Sequence, residues 1–265
     1  MSAGKAIRIW WTATSMGRVR DLALWLLLSA AVPTTAQAGE AVDLELVLAG
    51  DASGSIDADE LQLQRQGYAD AITDPRVLDT INQGAIGAVA VAYIEWAGSF
   101  STDLVVDWHV VRDRESAQSF AQALLTAPRR AQGFNAIGAG VALATRMIQT
   151  NDYDGTRCVI DVSGDGPDIG VPTADAARDK AVAAGLTINA LAINSNDESA
   201  FSNGIPLATH YADHVIGGPG AFVTVADGLG SFRETLLAKL VREISGLGLP
   251  GPRIANRPRT TTPPG

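Results

Sequence analysis

The sequence predicts an α/β domain: a doubly wound, mostly parallel sheet with one antiparallel edge strand and helices on both faces. Three observations predict it. Between Gly39 and Gly248, short apolar runs alternate with segments of helical period. Most of the linking segments are long enough to hold the crossover helix that a parallel pair requires. One pair of runs is joined by Ala97–Ser101 alone, which makes a hairpin and supplies the antiparallel edge.

Val42–Ala49 (VDLELVLA) reads as the first strand. Asp57–Ala71 follows as a helix. Asp57 is its N-cap, and Glu60 three residues on gives the spacing of a capping box. Leu61, Gln64, Arg65, Tyr68 and Ile72 recur at the helical period. Ala88–Trp96 and Thr102–Val111 are the second and third strands. Helices are expected over Glu115–Thr126 and, after a Gly-rich turn at Gly133, over Ile137–Thr150. Arg157–Ser163 is a fourth, strongly apolar strand. Then come a helix over Thr173–Ala184, a strand over Leu186–Ile193, a short helix over Asp197–Leu207 and a last strand over Ala221–Val225. Leu229, Phe232, Leu236, Leu240 and Ile244 fall three or four apart on a final helix. Ligands of such sheets bind beyond the C-terminal strand ends. The loops of interest are therefore those after the first strand, before the Ile137 helix and after the fourth strand.

Both ends of the 265-residue chain read as separate from this domain. Lys5, Arg8, Arg18 and Arg20 precede and accompany the apolar run Leu22–Leu28, and Ala36-Gln37-Ala38 offers the small residues a signal peptidase reads. The run is short for a membrane span. Residues 1–38 are thus expected to be a signal peptide, cleaved after Ala38 or kept as an anchor, 39–248 the domain, and 249–265 a disordered Pro-rich tail. The expected location is the periplasm or the exterior, with no transmembrane segment after cleavage. Residues 1–38 carry four basic side chains and one acidic one, which leaves 16 basic and 28 acidic, a net of −12. Such a domain repels phosphate backbones, which argues against nucleic-acid partners. Cys158, in an apolar run, is the chain's one cysteine, so no internal disulfide forms, and a buried strand thiol is expected.

The first loop reads Gly50-Asp51-Ala52-Ser53-Gly54-Ser55. One carboxylate and two hydroxyls alternate there, so a turn leaving a strand can point three oxygens at one place. Oxygen donors of this kind suit a hard cation such as Mg²⁺. After the fourth strand, Gly164-Asp165-Gly166 brings a second carboxylate toward the same crevice, with glycines that permit close approach.

Asp51-x-Ser53-x-Ser55 after an apolar first strand, with Asp165-Gly166 after the central strand, resembles the metal-site motifs of the von Willebrand factor type A (vWA) domain. The likeness extends to Gln64-Arg65-Gln66-Gly67-Tyr68, Ile94-Glu95-Trp96 and Val215-Ile216-Gly217-Gly218-Pro219-Gly220-Ala221-Phe222, and covers about residues 42–245. These segments together resemble a bacterial subfamily of exported type A-like proteins of no assigned function. The resemblance implies a Rossmann-like, vWA-type fold and a divalent-cation adhesion site (MIDAS) for Mg²⁺, or Mn²⁺ or Ca²⁺. It implies Asp51, Ser53 and Ser55 as direct or water-mediated ligands and Asp165 as an acceptor behind them, with one position open to a partner's carboxylate. The family's Thr position falls in Gly133–Gly138 and here holds Asn135, whose amide oxygen can serve a hard cation.

The expected function is a non-enzymatic binding module for a protein or peptide with an acidic side chain. The alternatives are a metal-assisted hydrolase in the same crevice and a metal-independent envelope scaffold. Other motifs argue for less. An EF-hand loop would need Gly and Glu where Ile56 and Gln62 stand. Neither Ser53 nor Ser163 has the Gly-x-Ser-x-Gly frame of a hydrolase elbow. His109 reads as an exposed strand position. His210 and His214 read as part of a loop feeding the last strand, and not as a zinc pair. Gly246-x-Gly248-x-x-Gly251 follows a helix, whereas the dinucleotide motif needs a preceding strand.

Overall fold

A computed structural model describes residues 39–194 and 204–246. The expected signal peptide, the Pro-rich tail and most of the short helix at Asp197–Leu207 lie outside the described residues. In chain order the elements are β1 (Glu40–Val42), β2 (Leu44–Asp51), α1 (Ala58–Thr73), α2 (Pro75–Asn82), β3 (Val89–Gly98), β4 (Ser101–Val111), α3 (Arg114–Thr126) and α4 (Ile137–Thr150). There follow β5 (Tyr153–Gly155), β6 (Cys158–Gly164), α5 (Ala174–Ala183), β7 (Thr187–Asn194), α6 (Leu207–His214), β8 (Val223–Asp227) and α7 (Leu229–Ser245).

Six strands form one sheet in the order β4-β3-β2-β6-β7-β8. Only β3 and β4 pair antiparallel, and β4 is the edge expected from the hairpin. All eight residues of β2 are buried, as a central strand covered on both faces requires. Its alternation divides the core. Leu44, Leu46 and Leu48 pack with α1, α2, α3 and α7, whereas Val47 and Ala49 pack with α4, α5 and α6. The chain leaves β2 toward β3 on one side, and β6 lies on the other. The loops after β2 and β6 therefore meet at the point where the strand order reverses.

Local sequence accounts for most boundaries. Asp57 accepts from the backbone N–H of Asp59 and Glu60, and Glu60 accepts from Asp57 N at 2.9 Å, which completes the capping box of α1. Helix α2 is not expected from the sequence pattern, although Asp74 caps it and Pro75 opens it. Nor are β1 and β5, a small parallel pair. The strand expected over Val42–Ala49 is β2, Leu44–Asp51; before it the Asp43 carboxylate turns aside to accept from Ile86, Gly87 and Ala88 N–H. The stretch holding His210 and His214 is helix α6, not a loop: Leu207, Tyr211 and Val215 face the core four residues apart. β8 runs two residues later than expected, to Asp227. His109 is half-buried, edge-on to Phe120 with ring centroids 5.8 Å apart. Cys158 is buried. No helix among the described residues is long and apolar enough to cross a membrane.

Two buried polar clusters tie helices to the sheet. Arg65 of α1 donates from Nε to Glu95 Oε1 of β3 at 2.7 Å and reaches the carbonyls of Ala127 and Pro128. On the same face, Lys239 of α7 lies between Asp161 of β6 and Glu243, the latter at 2.6 Å, and Asn189 of β7 donates to Glu243 at 2.9 Å. Burial, and next the Asp161 charge, push Glu243 up to about 8, with Lys239 opposing.

Glu95→Ala leaves the Arg65 guanidinium buried without its carboxylate, and should cost ~3–5 kcal/mol of unfolding free energy in urea. Glu243 has a raised folded pKa. Its contribution to stability is therefore complete below its ordinary 4.5 and lost as pH rises through about 8. Glu243→Gln should flatten the fall in urea midpoint over that window; an unchanged slope would place the titration elsewhere.

Candidate metal centre

The chain leaves β2 at Asp51, whose side chain is wholly buried. Asp51 Oδ1 accepts the Ser53 N–H at 2.7 Å, which folds the turn back over the strand end. Ser53 Oγ and Ser55 Oγ are 3.1 Å apart, and Ser55 Oγ donates to Asp165 Oδ1 at 2.9 Å. Since Ser55 gives its proton to Asp165, Ser53 is the donor to Ser55. A directed chain thus runs from the first loop to the loop after β6. Ser53 is buried, whereas Ser55 is exposed and forms the mouth of the crevice.

The loop before α4 closes the third side. Gly54 N donates to Gly133 O at 2.8 Å, and Ile169 N to Asn135 O at 2.8 Å, so this loop is stitched to both others. Gly133 has φ +144°, and a Cβ there would overlap Gly98 of the hairpin. A Cβ on Gly166 would overlap the Asn135 amide, which puts that side chain against the Asp165 loop. All five residues read from sequence as ligands, Asp51, Ser53, Ser55, Asn135 and Asp165, are therefore held where these three loops meet.

The supports beneath the loops were not singled out as site residues by sequence. Gln64 Nε2 donates to Asp51 O at 3.1 Å, while its Oε1 accepts from Ser163 Oγ at 3.2 Å, which in turn accepts from Tyr68 OH at 3.1 Å. Arg129 donates to the carbonyls of Ala52 at 2.8 Å and Ser53 at 3.2 Å. Tyr211 of α6 donates to Gly166 O at 3.0 Å. Asp168 accepts from Gly138 N and Ala174 N, and its own N–H donates to His210 Nε2. One signal was present: Gln64 and Arg65 are polar residues inside the buried repeat of α1, where apolar ones would suffice for packing.

Burial and the closeness of two carboxyl groups set the electrostatics here. Burial, and next the neighbouring Asp165 carboxyl, push Asp51 up to about 7. Asp165 is also raised, first by burial, while the Ser55 hydroxyl pulls it back. Asp51 Oδ2 and Asn135 Oδ1 are buried with no hydrogen-bond partner. Buried oxygens left unpaired are costly, and a hard cation is one group that would satisfy both. A carboxylate, two hydroxyls and an amide oxygen form a donor set that fits such an ion. No group of three or more His, Cys, Asp or Glu suited to a metal occurs among the described residues, so an ion here would depend on the serines and Asn135.

The raised Asp51 pKa fixes a sign. Without added metal, the folded protein holds a proton that the unfolded chain releases, so this contribution is present below the ordinary 3.8 and lost as pH rises through about 7. In EDTA, Asp51→Asn keeps the bond from Ser53 N–H and removes the buried charge. It should raise the thermal midpoint at about pH 8 by roughly 2–4 °C per kcal/mol relieved, with little change at about pH 4. A lower midpoint at pH 8 would contradict the assignment.

Comparison with known proteins agrees with the architecture. The pilus adhesin SpaC of Lactobacillus rhamnosus GG superposes with a TM-score of 0.55 at 14% identity, over 77% of this chain and 31% of that one. A von Willebrand factor type A protein from Catenulispora acidiphila gives 0.52 at 16%, over 77% and 43%. Proximal thread matrix protein 1 of the mussel byssus, with a zinc-occupied MIDAS motif, gives 0.50 at 17%, over 79% and 46%. This chain thus spans less than half the length of each, and at these identities the likeness is one of fold. No curated protein matches the sequence. Residues 41–248 match a family model described as "Protein of unknown function (DUF1194)". With a vWA-type fold and a match over almost the whole described domain, the chain belongs to the DUF1194 family.

Proposed function

We propose that the protein is an exported, metal-dependent protein-binding module of the adhesion type, with a MIDAS-like centre for Mg²⁺, or Mn²⁺ or Ca²⁺. The observation that carries this reading is the pair of buried, unpartnered oxygens, Asp51 Oδ2 and Asn135 Oδ1, on loops that meet beside Ser53, Ser55 and Asp165. Asp51, Ser53 and Ser55 would hold the ion directly or through water, and Asn135 would stand in the position of the family's Thr. Asp165 would orient the Ser55 hydroxyl. A bound cation supplies a Lewis-acid position for an anionic group, here a carboxylate of the partner. The printed descriptions of a pilus adhesin and of a byssus matrix protein with an occupied MIDAS motif are in keeping with this reading. The basic, apolar N-terminal segment ending at Ala38 supports a periplasmic or secreted location.

Thermal unfolding tests the centre. An ion that binds only the folded state raises the midpoint, by ~2.7 kcal/mol of stability at one hundred times its dissociation constant. Mg²⁺ or Mn²⁺ should raise the midpoint relative to EDTA, and Asp51→Ala should abolish the rise. The rise should be larger at about pH 8 than at about pH 5, because below about 7 a proton competes for Asp51. No shift at millimolar ion would sink the metal reading and favour a metal-independent scaffold.

A further inference from the structure

Beside the candidate centre, three loops expose large apolar side chains. Phe100 lies in the β3–β4 turn and is fully exposed, at 103%. Phe134, just before Asn135, is 79% exposed, and Ile169 and Val171 after β6 are 67% and 72% exposed. Loops ordinarily carry polar side chains into solvent, and an apolar cluster left uncovered marks an interaction surface.

The three loops that carry these side chains are joined by hydrogen bonds into one rim. Gln132 N donates to Ser101 Oγ at 2.9 Å, and Ala136 N to Ala97 O at 2.8 Å, which fix the Phe134 loop to the hairpin. Val171 N donates to Ser99 Oγ at 2.8 Å, and Ile169 N to Asn135 O at 2.8 Å, which fix the third loop to the other two. The Asn135 residue is shared: its carbonyl anchors the rim and its side-chain oxygen belongs to the centre. Arg130, on the same loop, is largely exposed and pairs with Asp103 at 3.7 Å.

We infer that this rim docks a protein segment that presents a carboxylate flanked by large apolar side chains. The inference rests on the reading of Asp51 to Asp165 as a cation centre, which would take the carboxylate while the rim takes its neighbours. Charge selects this occupant. An anionic group is drawn to the cation and to Arg130. A single carboxylate can enter the crevice locally, whereas an anionic membrane or a second acidic copy presents an extended negative surface to the net charge of −12 on residues 39–265. Preformed loops also spare the ordering cost that weakens flexible binding surfaces.

The test is selection from a phage-displayed random peptide library on the purified protein in millimolar Mg²⁺. Selected peptides should carry Asp or Glu within a few positions of Phe, Leu, Ile or Trp. One such peptide, synthesised, should bind the double variant Phe100→Ser/Phe134→Ser about tenfold or more weakly. Ile169→Ser/Val171→Ser should weaken it in the same direction. Both variants should keep the circular dichroism spectrum and the Mg²⁺-dependent midpoint shift, since these side chains touch solvent. Acidic peptides without apolar neighbours, equal binding by both variants, or no selection at all would overturn the proposal. So would Phe-dependent flotation with phosphatidylglycerol vesicles, or Phe-dependent self-association in sedimentation, each of which names a different occupant. Peptide binding that needs the two phenylalanines but survives EDTA and Asp51→Ala keeps the rim and removes the cation. A Mg²⁺-dependent midpoint shift together with peptide binding that does not depend on the phenylalanines does the reverse.

Discussion

A carboxyl group buried at the end of the central strand is the constraint on which the candidate site depends. Asp51 closes β2, has no exposure, and spends one oxygen on the Ser53 N–H, leaving the other without a partner. Such a group is tolerable only where its charge is neutralised by a proton or a cation. Asp165 faces the same crevice and adds to the demand. The rest of the site can be understood as the means of keeping two carboxyls close without collapse. The Ser53–Ser55–Asp165 chain holds them in register, and Gln64 and Arg129 fasten the backbone of the first loop from below and beside.

That arrangement is available because of where β2 sits. With β3 on one side and β6 on the other, β2 is parallel to both, so its C-terminal end and that of β6 open on the same edge of the sheet. Helices cover both faces, and the loops are left to the edge. The antiparallel hairpin matters for the same reason. It brings the turn at Gly98–Ser101 up to the loop before α4, which Gly133 allows to approach because it carries no Cβ. The buried Arg65–Glu95 pair joins α1, β3 and the Ala127–Pro128 segment from which that loop departs. The scaffold under the site is therefore polar as well as apolar. Removing one partner of such a buried pair is costly because the other charge is left buried and unpaired.

On the opposite face of the sheet from α4, Lys239 answers two carboxylates in the core beside α7. With Glu243 raised to about 8, first by burial and next by the Asp161 charge, its carboxyl keeps a proton near neutral pH. This cluster lies on β6 and β7, the strands that also carry the Asp165 loop and support α6. α7 is thus tied by an ion pair to β6, the strand that leads into the Asp165 loop.

The class of fold and the Asp51, Ser53 and Ser55 loop were legible in the chain, because both rest on local information; Asp165 followed from the expected order of strands, and Asn135 only from the resemblance to the vWA family. Period and turn chemistry gave the strands, the long helices and the Asp57–Glu60 cap, and the alternation of Asp51, Ser53 and Ser55 is a property of one short segment. Short elements were less legible. Eight residues of α2 or α6 make about two turns, too few for a period to stand out, and β1 and β5 are three residues each. Only the tertiary structure decided the rest. The parallel pairing of β2 with β6 brings Asp165 within 2.9 Å of Ser55 across 110 residues of chain, and burial then turns an ordinary carboxylate into one raised to about 7. The Arg65–Glu95 and Lys239–Asp161 pairs, Arg129 on the first loop and the joining of Phe100, Phe134, Ile169 and Val171 into one rim belong to the same class. Each depends on residues distant in sequence meeting in a medium of low dielectric, and no local pattern encodes that meeting.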